Sequence, residues 1–376
     1  MKVLHISGDA QIGGIETFLA TLARNNSLDR TSRHDFAFTP EGPAIETIRR
    51  TGAQVHYLGG GNVSYKYPKA LHLARGRLNE ICEYYQYDVG VFHNYPFLVA
   101  AFADVLWRRG VKMVRYFHNE IVPHSKLERL VRLFYTRFLD LSVFDSRFLL
   151  DRMPTPKGTV VYYPVDRQIE LTADKRGEIR RKFATSTYDP VVIQVCRMAR
   201  RKGHARLLHA LASLKSVRWT CWIVGGPQGG DQRANEIAYL DSLKSLATEL
   251  GISDRVRFLG TRTDVPELLA AADIFCHPNT YPPEPFGIAF VEALQAGLPV
   301  VTTAMGGPTE IISERCGFLV PPEDNAALAD ALRRLLTEHG LREEMSISAR
   351  ARGEVFKPSV QIPLLNAALA TALADS

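Results

Sequence analysis

Short β-rich runs alternate with longer helical patterns along the whole chain, and this alternation constrains the fold more than any other feature. In the first half the strand candidates are Val3–Ser7, Asp35–Thr39, Gln54–Leu58, Val89–His93, Lys112–His118, Ser142–Asp145 and Val160–Tyr163. Helical patterns separate them, near 14–26, 43–51, 68–85, 97–109, 125–140 and 146–152. The second half repeats the scheme. Its strands are expected at Val191–Cys196, Trp219–Val224, Val256–Leu259, Ile274–His277, Val300–Thr303 and Gly317–Val320. Its helices are expected near 203–215, 233–250, 264–272, 286–296, 324–338 and 340–352. Parallel neighbours need a crossover connection, so regular β-α alternation predicts parallel sheets with helices on both faces. The expected fold class is α/β, with two Rossmann-like lobes.

A chain of 376 residues has room for two domains of ordinary size. The break falls near Tyr163-Pro164-Val165-Asp166, where a proline follows an apolar strand and a charged helix begins near Asp174. The expected domains are 1–167 and 168–357, and the Ala/Leu-rich segment 358–376 is expected to return as a helix to the first lobe. In open parallel sheets ligands bind beyond the carboxyl ends of the strands. Two lobes facing each other would turn both sets of strand ends toward a central cleft, so motifs at those ends are read together.

The strongest motif is Glu284-Pro285-Phe286-Gly287-Ile288-Ala289-Phe290-Val291-Glu292, after the strand Ile274–His277. Pro285 suits a first helical position. The amides of Phe286, Gly287 and Ile288 would then open a helix and offer an anion site for a diphosphate. Glu292 lies about two turns from Glu284, so the two carboxylates can address one ligand from different ends. A second motif, Cys196-Arg197-Met198-Ala199-Arg200-Arg201-Lys202-Gly203-His204, follows the first strand of the second half. Arg197 and Lys202 supply the cations that a leaving nucleoside diphosphate needs, while Arg200 and Arg201 read as solvated. A third, Gly8-Asp9-Ala10-Gln11-Ile12-Gly13-Gly14-Ile15-Glu16, opens a helix on a Gly-Gly pair and departs from the G-x-G-x-x-G pattern of dinucleotide-dependent dehydrogenases. A fourth, Tyr116-Phe117-His118-Asn119-Glu120, puts a histidine at a strand end, where it can bond a sugar hydroxyl or serve the core alone.

Together these residues resemble the retaining GT-B glycosyltransferases of family 4, the group 1 enzymes. Glu284 to Glu292 matches their E-x7-E signature, Arg197 and Lys202 their diphosphate-binding pair, Gly13-Gly14 their N-terminal glycine loop and His118 their strand-end histidine. The tract Ala293–Val301 followed by Gly306-Gly307 is also similar. The resemblance covers nearly the whole chain and is sharpest from about 190 to 322. It implies a GT-B fold, in which a hexosyl group passes with retained configuration from a UDP- or GDP-sugar to a saccharide or lipid-linked saccharide acceptor, in cell-envelope or exopolysaccharide assembly. It implies no essential metal and no other cofactor, and no Asp-x-Asp pair occurs to chelate one.

Roles follow from that resemblance. His118, Arg197, Lys202 and Glu284 become the catalytic candidates. Gly13, Gly14, Arg197, Lys202, Phe258, Glu284, Phe286, Gly287, Ile288 and Glu292 become the nucleotide-sugar site, with Glu284 on sugar hydroxyls, Glu292 on the ribose, and Arg257, Phe258 and Leu259 near the base. Glu16, Asn119 and Glu120 are the acceptor-side candidates. A nucleotide-sugar epimerase of the same fold, or a non-catalytic nucleotide-sugar binder, would carry many of the same residues. Epimerised sugar without an acceptor would mark the first, and an inert donor the second.

Charge and hydropathy limit partners and location. Residues 1–167 hold 22 Lys+Arg against 16 Asp+Glu, residues 168–376 hold 24 of each, and the net charge of +6 therefore falls in the first lobe. That surplus favours an anionic membrane surface, with 107–137 as the candidate face through Arg108, Arg109, Lys112, Arg115, Lys126, Arg129, Arg132 and Arg137. No basic-aromatic RNA motif accompanies it, so nucleic acid is not an expected partner. The opening Met1–Ser7 run is too short for a signal peptide, no stretch approaches the roughly 20 apolar residues of a spanning helix, and the five cysteines form no C-x-x-C pair. These features point to a cytoplasmic protein, peripheral on the inner face of the membrane if docked at all.

Overall fold

A computed structural model describes the chain except for residues 12, 60–66, 94–95, 120–138, 167–168, 187, 228–232 and 375–376. The expected helix at 125–140, most of the basic face at 107–137, and Glu120 therefore lie outside the described residues. The chain divides into two compact units: Met1–Val165 with Phe356–Ser376, and Asp166–Val355. The divisions fall two residues before the boundaries expected from sequence. At this point the returning segment is tied in, because Val165 donates its N–H to the Phe356 carbonyl at 2.8 Å.

The first unit holds β1 (Lys2–Ser7), β2 (Arg33–Phe38), β3 (Val55–Tyr57), β4 (Val89–His93), β5 (Lys112–Phe117), β6 (Leu141–Phe144) and β7 (Gly158–Val160). Their order is β3-β2-β1-β4-β5-β6-β7, and every neighbouring pair is parallel. On one face Leu4, Ile6, Ala37 and Phe92 pack with Ala74 and Leu78 of helix Pro68–Tyr85, and with Val99, Phe102 and Leu106 of helix Pro96–Arg108. The other face is partly polar: it carries His5, His34 and His93, with Phe36 stacked on His5. β7 ends three residues earlier than expected, because the Tyr162 amide leaves the ladder for Gln361 Oε1, at 3.1 Å, on the C-terminal helix.

The second unit holds β8 (Val191–Val195), β9 (Thr220–Val224), β10 (Val256–Gly260), β11 (Ile274–His277), β12 (Val300–Thr303) and β13 (Gly317–Val320). The order is β10-β9-β8-β11-β12-β13, again parallel throughout. Val192, Cys221, Ile223, Ile274 and Val301 form its core with Leu207, Leu211, Leu243, Leu328 and Leu332 from the flanking helices. The charged helix Ala173–Lys182 docks by a different means. Arg176 and Arg180 both reach Asp273 at 2.6 Å, and Asp273 also accepts the Val191 N–H. Among the described residues, no helix is long and apolar enough to cross a membrane.

The C-terminal helix Pro358–Ala374 belongs to the first unit and buries Gln361, Ile362, Leu365, Asn366 and Leu369 there. Leu365 is 1% exposed. Truncating such a side chain loses its transfer energy and leaves a cavity, so Leu365→Ala is expected to cost about 2–4 kcal/mol in chemical denaturation. A loss within about 0.5 kcal/mol would show that this helix does not help hold the first unit.

Candidate functional site

The carboxyl ends of β8 and β11 are neighbours in the second sheet, and the loops that leave them carry opposite charges to one point. After β8 the chain forms a 3₁₀ turn, Arg200–Lys202, then enters helix His204–Ala212 through Gly203 at φ 73°. The Lys202 carbonyl is held by Gln194 Nε2 at 2.7 Å, and the Arg201 carbonyl by the Thr280 N–H at 2.7 Å. The Lys202 ammonium donates to Glu284 Oε2, and Arg201 Nη1 reaches the same oxygen at 3.0 Å. Two close approaches make this possible. A Cβ on Gly203 would fall 1.9 Å from the Pro278 carbonyl oxygen, and one on Gly307 would fall 2.1 Å from that of Pro285. The Gly307 N–H also holds the Glu284 carbonyl at 2.9 Å.

Lys202 is only 8% exposed, so these charges are largely removed from water. Burial alone would raise the Glu284 pKa, but Lys202 and Arg201 outweigh it and bring the carboxyl from 4.5 to about 2. His277, at the end of β11, stacks on Phe290 at 5.0 Å. Burial and then Lys202 push its pKa well below 6.5, so the ring stays neutral. Cys196 lies 3.2 Å from His204 Nε2, a pairing that elsewhere activates a nucleophile. Here burial raises the thiol to about 12 and lowers His204 to about 4, so both stay neutral and the thiolate is not formed.

Two expectations need correction, the start of the helix after Glu284 and the solvation of Arg201. Pro285 does not open the helix. The helix is Ile288–Gln295, and Gly287 precedes it at φ 90°, a left-handed conformation that a helix interior does not hold. The amides that open the helix therefore begin at Ile288, and Phe286 is a buried loop residue. Arg201 is not solvated: it shares Glu284 with Lys202. Arg200 is exposed, as expected, and lies over the Tyr239 ring at 5.0 Å. Arg197 pairs with Glu236 at 3.5 Å. Arg257 is spent on the carbonyls of Phe183, Ala184 and Asp254, and Phe258 packs against the apolar core. Glu292 is buried within the helix Ile288–Gln295.

In the first unit Gly13 caps the helix Gly14–Arg24, as the glycine pair suggested, and Glu16 is buried in its first turn. His118 follows β5 and is 6% exposed; Asn119 beside it is exposed. Both ring nitrogens of His118 are already engaged, Nε2 with His93 Nδ1 at 2.8 Å and Nδ1 with the Tyr163 hydroxyl. A sugar hydroxyl would have to displace one of them. Reading by motif singled out His118 and passed over His5, His34 and His93, which extend the same network.

The depressed Glu284 pKa has a definite sign. The folded chain holds this carboxylate ionised below the pH at which an unfolded one protonates, so its stabilisation is full above about 4.5 and is lost as pH falls toward about 2. Glu284→Gln leaves Lys202 without its carboxylate, so its melting temperature is expected to lie below that of the wild type near pH 7 and to converge with it across that window. A constant gap from pH 7 to pH 3 would contradict the ion pair.

Residues 175–352, nearly all of the second unit, match the family described as Glycosyl transferases group 1. The lipopolysaccharide glucosyltransferase WaaG of Escherichia coli is 34% identical over 191 residues, covering 50% of this chain and 48% of WaaG. The lipopolysaccharide core biosynthesis glycosyltransferase LpsE of Rhizobium meliloti is 33% identical over 168 residues, covering 44% of this chain and 45% of its own. The chain thus spans about half the length of these curated relatives. Among solved structures, Anabaena HepE in complex with UDP aligns with a TM-score of 0.83 at 23% identity, over 100% of both chains. Its complex with UDP-glucose aligns at 0.81, again at 23% and 100% of both. A glycosyltransferase from Rickettsia africae aligns at 0.85 and 19% identity, over 100% of this chain and 99% of that one. At such identities the likeness is one of fold, the GT-B fold. The second unit is thus similar to the group 1 glycosyl transferases, over slightly less than half of the chain.

Proposed function

We propose that the chain is a retaining glycosyltransferase that moves a hexosyl group from a UDP- or GDP-sugar to a saccharide or lipid-linked saccharide of the cell envelope or an exopolysaccharide. The observation that carries this reading is the meeting of Lys202 and Arg201 on Glu284 at the carboxyl ends of β8 and β11. Two cations fixed by backbone hydrogen bonds can stabilise a leaving diphosphate, while the carboxylate they orient holds donor-sugar hydroxyls. Arg197 and the amides opening helix Ile288–Gln295 complete the phosphate side, Glu292 the ribose side and Phe258 the base side. The relatives' names support an envelope saccharide, and the HepE complexes with UDP and UDP-glucose support a nucleotide-sugar donor.

In the same reading no covalent nucleophile acts. The leaving phosphate assists deprotonation of the acceptor on the same face of the sugar, and catalysis rests on orientation and charge stabilisation. Acceptor binding falls to the first unit, with Glu16, Asn119 and Glu120 as candidate contacts. The surplus of positive charge in residues 1–167 supports docking of that unit on an anionic membrane surface.

Lys202→Ala and Glu284→Ala are each expected to lower turnover at least about tenfold with UDP-glucose or GDP-mannose, read as donor consumption, since such contacts are worth on the order of 2–4 kcal/mol at the transition state. Both variants at near-wild-type rates would remove this active site. With Lys202 and Arg201 supplying the positive charge, activity is expected to persist in excess chelator. Activity lost to chelator and restored by magnesium would refute that assignment.

A further inference from the structure

Four buried histidines of the first unit stand in line across the sheet. His34 is on β2, His5 on β1 and His93 on β4, and His118 follows β5. Val3 pairs with His34 and Ser7 with His93, so each step moves one strand across and two residues along. Residues two apart share a face, which puts the rings side by side over roughly 14 Å of sheet. His34 Nδ1 meets His5 Nε2 at 2.8 Å, His5 Nδ1 meets His93 Nε2 at 2.9 Å, and His93 Nδ1 meets His118 Nε2 at 2.8 Å. At the near end His118 Nδ1 meets the Tyr163 hydroxyl. At the far end His34 Nε2 meets Asn366 Oδ1 at 2.9 Å, and Asn366 Nδ2 donates to Asp29 Oδ2 at 2.7 Å.

The far end favours one order of protons along the row. Hydrogen bonds from the Thr31 hydroxyl and from Asn366 hold the Asp29 pKa at about 2, so this carboxylate only accepts. Asn366 must then turn its N–H toward Asp29 and its oxygen toward His34. An amide oxygen also only accepts, so His34 carries its proton on Nε2 and, when neutral, a lone pair on Nδ1. His5 must fill that lone pair from Nε2–H, and the same requirement passes to His93 and then to His118. Burial keeps the rings neutral: it drives His5, His93 and His118 well below 6.5 and His34 to about 4. Asp29 and Asp35 oppose it at His34, while the N-terminal amine there and Arg115 at His118 reinforce it. The Tyr163 hydroxyl is also hydrogen-bonded to Asp145, and Glu16 faces it. With its one O–H given wholly to Asp145, His118 would have to donate at both ends, and the four rings would need one proton more than neutral imidazoles hold, a charge that the burial of all four opposes.

We propose that Asp29 and Asn366 set the tautomer of His118 from the opposite end of the first sheet, so that His118 meets its ligand through an Nδ1 lone pair. This rests on the glycosyltransferase reading above: a saccharide hydroxyl that takes the place of Tyr163 donates its hydrogen bond to Nδ1. His34, His5, His93 and Asn366 are positioning residues. The line ends in an amide, which accepts a hydrogen bond but passes no proton on, so it fixes a tautomer and does not conduct.

The test is long-range ¹H–¹⁵N NMR of the full chain labelled with ¹⁵N-histidine, at pH 7 without substrate. All four rings are expected as neutral Nε2–H tautomers, with His118 assigned by loss of its signals in His118→Gln. Asn366→Ala is expected to let the Nδ1–H form appear at His118, whereas Tyr163→Phe keeps Nε2–H because the far end sets it. A His118 that is Nδ1–H or cationic in the wild type overturns the proposal, as does one unchanged in Asn366→Ala or switched in Tyr163→Phe. Should Asn366→Ala fail to fold, Asp29→Ala at the half-buried outer end of the row serves in its place under the same criterion. The tautomer is read with no donor or acceptor present, so failure to transfer sugar would remove the functional reading and leave this result standing.

Discussion

Parallel pairing governs where chemistry can sit in this molecule. Every neighbouring pair in both sheets runs the same way. A loop that leaves the carboxyl end of any strand therefore emerges on the same edge of its own sheet. In the first sheet this gathers the glycine pair after β1 and His118 after β5. In the second it brings together loops from β8 and β11, adjacent in the sheet although Lys202 and Glu284 are 82 residues apart. The topology that demands long crossovers thereby concentrates polar groups from distant sequence at one rim.

The ion pair at that rim is a poor way to gain stability. Removing charges from water costs several kcal/mol per ion, and well-packed apolar side chains in the same space would often serve the fold as well. What the surrounding loops invest in it is position. Gly203 and Gly307 let backbones approach to distances that any Cβ would forbid, and Gln194, Thr280 and Gly307 fix the carrying segments by hydrogen bonds. Such fixing is useful where charge must already be oriented when a ligand arrives.

The strands were legible because a strand buried on both faces is a continuous apolar run. All thirteen appear in the structure, most within two residues of their expected limits. Lys202 and Glu284 were legible because each belongs to a local motif. Arg201 was not, since its partner lies in the loop leaving the neighbouring strand β11, 83 residues on, and neighbours in sequence say nothing about it. The helix start at Ile288 was missed because Pro285 looked like a first helical residue, while Gly287 just upstream was the real signal for a left-handed entry. The histidines of β1, β2 and β4 each look like an isolated core residue. Their shared face becomes visible only once the register places them diagonally.

The closing helix gives the fold a direction in time. His34 and Asn366 are 332 residues apart, and the second unit is a continuous stretch lying between the two parts of the first. Synthesis therefore delivers every residue of the second unit before the first can be completed, and domains generally fold as units while the chain emerges. Until residues 356–374 dock, the sheet that started first lacks Ile362, Leu365 and Leu369 against its face, and His34 lacks Asn366. The first sheet to leave the ribosome thus cannot reach its native state until the whole second unit has been synthesised, and a nascent chain stalled before Asn366 leaves His34 without its amide partner.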